Sequence, residues 1–190
     1  MILSRSSLVH HSGILSLNKP VRETQCFSAE LSNVNVFVSH KHTDRLELQA
    51  VKRILEECGA RPYVDWLDPS MPKETRGETA AMLKQKILHC DKFIFVATQG
   101  ALDAPWCNWE IGYGDSKKSE TDALSLFAIK DDDGTWRGNE YLQLYPVVEF
   151  EDGTTKYKSG VNIPKGYYVE YPSVGGTRRI KTLKEWLLKK

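Results

Sequence analysis

The sequence predicts an α/β domain, a parallel sheet with helices on both faces. Two observations predict it. Short runs rich in β-branched and aromatic residues recur at 34–39 (VNVFVS), 91–98 (DKFIFVAT) and 123–129 (ALSLFAI). Such near-continuous apolar runs mark strands buried on both faces. Between them lie stretches with apolar residues at helical spacing, so strand and helix alternate four times along the chain.

The elements follow in order. Residues 1–33 show no clear periodicity and are read as an N-terminal extension, with room for a short helix or strand, ahead of a domain at 34–190. VNVFVS is the first strand, and HKHTD at 40–44 is a loop. Thr43 or Asp44 is placed to cap a helix with Leu48, Val51, Leu55 and Cys58 on one face, ended by Gly59. RPYVDW at 61–66 is a second, short strand. LDPSMPKETRGE at 67–78 holds two prolines, a glycine and many polar residues, so it reads as a long loop. The next helix carries Ala80, Leu83, Ile87 and Leu88. After the 91–98 strand, QGALDAP at 99–105 is a loop whose Asp103 can cap the following helix, with Pro105 tolerated in its first turn. That helix opens with APWCNWEIGYGD, and the 123–129 strand follows it.

The remainder has a different texture. Within 145–160 the pair Asp152-Gly153 is a turn signal between two strand-like runs and predicts a β-hairpin. YYVEY at 167–171 is a candidate further strand. The stretch 131–176 is therefore a hairpin-containing insertion, and 180–190 a C-terminal amphipathic helix that packs back on the sheet.

Bulk properties exclude several classes. A chain of 190 residues fits one domain with additions. Net charge is +1, with 41% hydrophobic and 27% charged residues, so nothing points to nucleic acid or a polyanionic partner. No run is long and apolar enough to span a bilayer, and residues 6–17 are too polar for a signal-peptide core. Cys26, Cys58, Cys90 and Cys107 are widely spaced and never form CxxC, which reads as free thiols in a reducing cytoplasm.

Common site motifs are missing. The sequence has no GxGxxG, GxxxxGK[ST], HExxH or GxSxG. His40 and His42 stand two apart, but no carboxylate or thiol cluster at metal spacing accompanies them, so no metal site is expected. Parallel sheets bind ligands off the carboxyl ends of their strands. Here the loops at those ends are 40–44, 66–78, 99–105 and 130–139. The helix after 99–105 sets Trp106 and Glu110 four apart, on one face near its N-terminus. A carboxylate beside an aromatic wall can stabilise positive charge developing on a ligand. On spacing alone, Glu110 reads equally as a solvent-facing residue that suits the helix dipole.

Three stretches together resemble a TIR domain, the family named for Toll and interleukin-1 receptors: VFVSHKHTD (36–44), YVDWLDPSMP (63–72) and FIFVATQGALDAPWCNWEIG (93–112). The resemblance spans roughly 34–130 and the last helix, and the Trp-Cys-x-x-Glu element carries most of its specificity. It implies a flavodoxin-like fold. It also implies cleavage of NAD between nicotinamide and ribose, with Glu110 as the catalytic residue and NAD as substrate, without a resident cofactor. Ser39, His40, Lys41 and His42 follow the first strand, where relatives contact adenine and phosphates. Lys41 and His42 stand where several relatives carry arginine, so bidentate phosphate contact is lost. Asp65 would fix the covering loop, Trp66 would stack on a ligand ring, and Trp106 would wall the nicotinamide side, while Trp109 and Cys107 read as core. The covering loop lacks the glycine many relatives have at its tip, since Gly77 comes late.

A chain that is mostly TIR domain is similar to the standalone bacterial kind used in Thoeris-type anti-phage defence. There a cyclic or modified ADP-ribose signals to a separate effector. Self-association of TIR domains and a cytoplasmic location are expected on the same ground. Two other functions fit the sequence: a non-enzymatic adaptor acting through TIR–TIR contacts, and a nucleoside deoxyribosyltransferase-like enzyme, which also uses a glutamate on N-glycosidic bonds.

Overall fold

Strands and helices alternate as the sequence predicts. The computed structural model describes residues 1–14, 34–70, 77–174 and 177–188. In chain order these form β1 (Leu3–Ser4), α1 (Arg5–Ser12), β2 (Asn35–Ser39), α2 (Arg45–Glu57), β3 (Arg61–Tyr63), α3 (Gly77–His89), β4 (Lys92–Ala97), α4 (Gln99–Leu102), α5 (Pro105–Lys118) and β5 (Leu124–Lys130). Then follow β6 (Val147–Glu151), β7 (Gly166–Val174), β8 (Thr177–Thr182) and α6 (Leu183–Leu188). The strands make one sheet in the order β3-β2-β4-β5-β6-β7-β8, with β1 paired to β5 off that path. From β3 to β6 the pairing is parallel, and β7 and β8 add an antiparallel edge.

The two-residue period of the strands divides the core. Val36, Val38, Ile94, Val96, Phe127 and Ile129 face one side, where α2 contributes Leu48, Val51, Ile54 and Leu55. Phe37, Phe93, Phe95, Leu124 and Leu126 face the other, packed by Leu83 and Ile87 of α3 and Cys107 and Ile111 of α5. Leu88, expected on the buried face of α3, is 42% exposed, because it lies about 100° round the helix from Ile87. α5 lies unusually close to the sheet at Gly114, where a Cβ would sit 3.0 Å from the Phe93 ring.

The caps differ from those expected. Asp44 stands at the N-terminus of α2 without capping it; its carboxylate accepts from the Thr98 hydroxyl instead. The 99–105 loop contains the one-turn helix α4, capped by Thr98, whose Oγ1 accepts from Ala101 N at 3.0 Å. Asp103 therefore does not cap α5. Pro105 opens that helix, and Asn108 Nδ2 ties its start to α4 by donating to the carbonyls of Leu102 (2.8 Å) and Ala104 (3.1 Å).

The C-terminal region also folds differently. The Asp152-Gly153 turn forms, with Gly153 at φ 94°, but it does not close the hairpin. The antiparallel partner of β6 is β7, reached after residues 152–165, with Val148 opposite Val169. Asp122 anchors this edge from the start of β5. Its carboxylate accepts from Tyr171 Oη (2.9 Å), Lys181 Nζ (2.8 Å) and Trp186 Nε1 (3.3 Å). Trp186 of α6 is fully buried, as the packed-back helix requires.

Residues 1–33 are not wholly an extension. β1 pairs in parallel with the end of β5, Leu3 opposite Ile129, and Phe150 N donates to the Met1 carbonyl at 3.0 Å. α1 packs on α2 with Leu8 fully buried, and Arg5 bridges to Glu47 and Asp131. The stretch is polar enough to hide this: three buried side chains among histidines and serines carry no clear period. Residues 15–33, with Cys26, lie outside the described residues.

Leu8→Ala is expected to lower unfolding stability by about 2–5 kcal/mol, as for a core leucine. Urea denaturation checks it; a helix outside the core would leave the midpoint unchanged.

Candidate functional site

A cavity of about 290 Å³ opens beyond the carboxyl end of β2, between the loop after β2, the start of α5 and the end of β3. Among its lining residues are His40, Lys41, His42, Asp65, Trp106 and Glu110. Topology explains the convergence. β2 is flanked by β3 and β4, so the segments leaving these three strands emerge side by side at one edge of the sheet.

Glu110 forms the floor. It is only 6% exposed although it carries a carboxylate. Ser39 has the same strand parity as Phe37, so its hydroxyl points to the α5 side and donates to Glu110 Oε2 at 2.5 Å. Burial pushes the Glu110 carboxyl up to about 7; the Ser39 bond opposes this, and the nearby negative charge of Asp65 adds to it. The solvent-facing reading of Glu110 is thereby set aside.

The wall is a set of coupled ionisable groups. His40 is buried; its Nδ1 donates to the Val38 carbonyl at 3.0 Å. Burial holds its imidazole below the usual range, so it is neutral near pH 7. His42 is exposed and donates to Asp65 Oδ2 at 3.3 Å, and that bond raises its value against some burial. Burial works to raise Asp65, but the His42 bond and the charges of both histidines outweigh it, leaving Asp65 below the usual carboxylate range. Trp106, 40% exposed, stands one helical turn before Glu110 on the same wall.

The structure brings six of the eight predicted site residues to the cavity and gives two of them other places. Ser39 lies beneath the floor, 1% exposed, and touches Glu110 rather than open space. Trp66 packs against the α2-side core with the Arg45 guanidinium 4.7 Å from its ring centroid; it does not line this cavity. Lys41 leans on α4, where a Cβ at Gly100 would meet its Nζ at 3.0 Å. Trp109 is half-buried, stacked on Tyr113 with Lys84 5.8 Å from its ring centroid. Cys107 is buried, and burial pushes its thiol up to about 12, out of reach of nucleophilic chemistry. The tip of the covering loop, 71–76, lies outside the described residues.

Sequence reasoning missed Thr79 and Leu83, which line the cavity from α3. Their signal was available, since they lie four apart on the buried face of that helix. It also placed no carboxylate beside His40 and His42, whereas the fold sets Asp65 against both. A larger concavity of about 570 Å³ lies at the opposite end of the sheet, around Asp122, Tyr171, Arg179 and Lys181. Its Asp122, Tyr171 and Lys181 bond one another and hold the β7–β8 edge in place. The smaller cavity is the candidate site, because perturbed ionisable groups converge on it.

A family model described as TIR domain matches residues 36–159. Among curated proteins, the chain is 30% identical over 116 residues to "Probable 3' cyclic ADP-D-ribose synthase ThsB'" of Bacillus cereus (strain MSX-D12), covering 60% of each chain. It is 27% identical over 82 residues to "Putative cyclic ADP-D-ribose synthase TIR2" of Cytobacillus dafuensis, covering 42% of this chain and 22% of that protein. The aligned stretch thus spans about three fifths of the first relative and about a fifth of the second.

The Glu110 value has a consequence for stability. Its folded-state value of about 7 lies above the usual 4.5, so the wild type loses stability as pH rises between those values. Glu110→Gln is expected to be more stable than wild type by about 3 kcal/mol at pH 8, and the difference is expected to vanish below pH ~4.5. Chemical denaturation of both proteins across that range checks it.

Proposed function

The chain belongs to the TIR domain family, and on that premise we propose that it cleaves NAD at the nicotinamide–ribose bond and closes the remainder into a cyclic ADP-ribose. The observation that carries the proposal is Glu110: a carboxylate at the floor of the cleft, held by Ser39 and walled by Trp106. The names of both relatives support the product class.

The chemistry suits a single carboxylate. When the C1′–N1 bond breaks, the electron pair leaves with nicotinamide, which departs neutral. The ribose is left as an oxocarbenium-like cation, as in glycoside hydrolysis. An ionised Glu110 in a water-poor site stabilises that cation. A hydroxyl or ring nitrogen of the same molecule then adds to C1′, and a hydroxyl gives up its proton as it does so. A carboxylate with a value of about 7 is well matched to accept that proton. No redox cofactor is needed, since NAD is substrate and no hydride moves.

The cavity volume falls just below the range that encloses a drug-sized ligand, so it takes one end of the dinucleotide. Trp106 offers its ring to the nicotinamide side. Lys41 and the polar loop after β2 suit the phosphates. The rest of the dinucleotide calls for a further wall, and we place a second copy of the chain there; the exposed apolar surface of Pro105, Trp106 and Trp109 suits such association. The setting we infer is cytoplasmic anti-phage defence, with the product read by a separate effector. Cys58, Cys90 and Cys107 are free thiols, and no helix among the described residues is long and apolar enough to cross a membrane.

Nicotinamide release by the concentrated protein, resolved by chromatography and mass, tests the proposal. Glu110→Gln is expected to lose at least ~10²-fold in kcat; normal turnover by this variant would overturn the assignment of Glu110, and silence of the concentrated wild type would favour the adaptor reading. Ser39→Ala is expected to lower kcat by about tenfold with little change in KM. It removes the bond that favours the ionised carboxylate, so the rising limb of its pH–rate profile should move to higher pH. A profile that keeps its midpoint would show that Ser39 does not tune Glu110.

A further inference from the structure

The wall of the cleft has two buried acceptors close together. His40 Nδ1 faces the Val38 carbonyl, which can only accept, so that nitrogen carries the ring proton and Nε2 presents a lone pair. That Nε2 has no hydrogen-bond partner among the described residues, and neither does Asp65 Oδ1. The two atoms face each other at 3.9 Å, and the His40 side chain is 2% exposed. His42 Nε2 lies 3.3 Å from the other oxygen of the same carboxylate. One donor atom from each residue falls within a set whose members all lie within 4.8 Å of one another.

We propose that His40, His42 and Asp65 form a binding site for a divalent transition-metal ion of the zinc class. Two imidazole nitrogens and one carboxylate oxygen are a donor set that suits zinc better than calcium or magnesium. Donors roughly 2.0–2.2 Å from a tetrahedral ion stand ~3.4 Å apart. The three donor atoms, all within 4.8 Å of one another, close to this spacing by side-chain rotation, with the exposed His42 free to move. The Val38 carbonyl supplies the outer-shell bond that fixes a ligating histidine's tautomer and orientation. His42 is exposed and can turn its own ring proton to Nδ1 without disturbing the core. Asp65 and Glu110 make the surroundings favourable to a dication, and the fourth coordination position opens on the cavity. Bond cleavage by Glu110 does not need the ion. Occupation of the site instead takes His42 and Asp65 away from their mutual bond and alters the cleft wall.

Titration of the full chain with Co²⁺ tests this without any reference to turnover, so its outcome is independent of the NAD proposal. One equivalent of Co²⁺ is expected to give the visible absorption of a four-coordinate ion, displaced by one equivalent of Zn²⁺. His42→Gln and Asp65→Asn are each expected to weaken binding at least tenfold, with the fold checked by circular dichroism. His10→Gln/His11→Gln, which removes the other histidine pair, is expected to bind as wild type does. Nitrogen-15 shifts of the wild-type imidazoles with Zn²⁺ should report ligation at His40 Nε2, a readout that needs no variant. Absence of the absorption band, undiminished binding in both site variants, or an unmoved His40 signal would each overturn the proposal.

Discussion

A carboxylate kept from water is the constraint around which this fold is arranged. Burying an ionised group costs free energy unless something faces it. At Glu110, among the described residues, one hydroxyl does so, Ser39 Oγ at 2.5 Å. That bond joins the last residue of β2 to the second turn of α5, so strand and helix must meet at a fixed height. Gly114, one turn further along α5, lets the helix settle on the Phe93 ring. α4 and the Asn108 bonds fix where the helix starts. The remaining imbalance is left as a raised protonation point, which stores in the folded state a readiness to take up or give up a proton near neutrality.

Around the carboxylate the charges are arranged rather than neutralised. His42 pairs with Asp65 at the rim, where solvent weakens the pair. His40 stays neutral behind it. Next along the edge, Asp44 accepts from Thr98 and lies 3.6 Å from Arg5, which also bridges to Glu47 and Asp131. Arg5 therefore gathers acidic groups from α2 and the end of β5 into one network behind the cleft.

The central sheet was legible in the sequence because its strands are buried on both faces, so each announces itself as an apolar run. β4 is buried at every position and was read to within a residue or so at each end. The Trp106–Glu110 spacing showed a shared helix face, since geometry there is local. What escaped depended on the third dimension. The resemblance groups Ser39 with the ligand-contacting residues at the end of the first strand; only the position of α5 shows its hydroxyl on Glu110. Asp65 meets His40 and His42 from a different strand, across a separation that no spacing rule covers. The hairpin misplacement has another cause. Asp152-Gly153 is a strong local turn signal, but pairing across β6 and β7 decides where the chain returns. The place of α1 was not legible, because its buried face is narrow and lies among histidines and serines.

The place of β1 bears on time as well as shape. It lies against the end of β5, with Leu3 opposite Ile129. Nothing in the chain before β5 can pair with it, so its place in the sheet does not exist until more than a hundred intervening residues have been made and positioned. Contacts of such wide separation slow folding, because loop-closure entropy is lost before they reward it. During synthesis, β1 must therefore wait while the rest of the sheet assembles, although α1 meets its partner α2 early, and the strand that emerges first is among the late ones to dock.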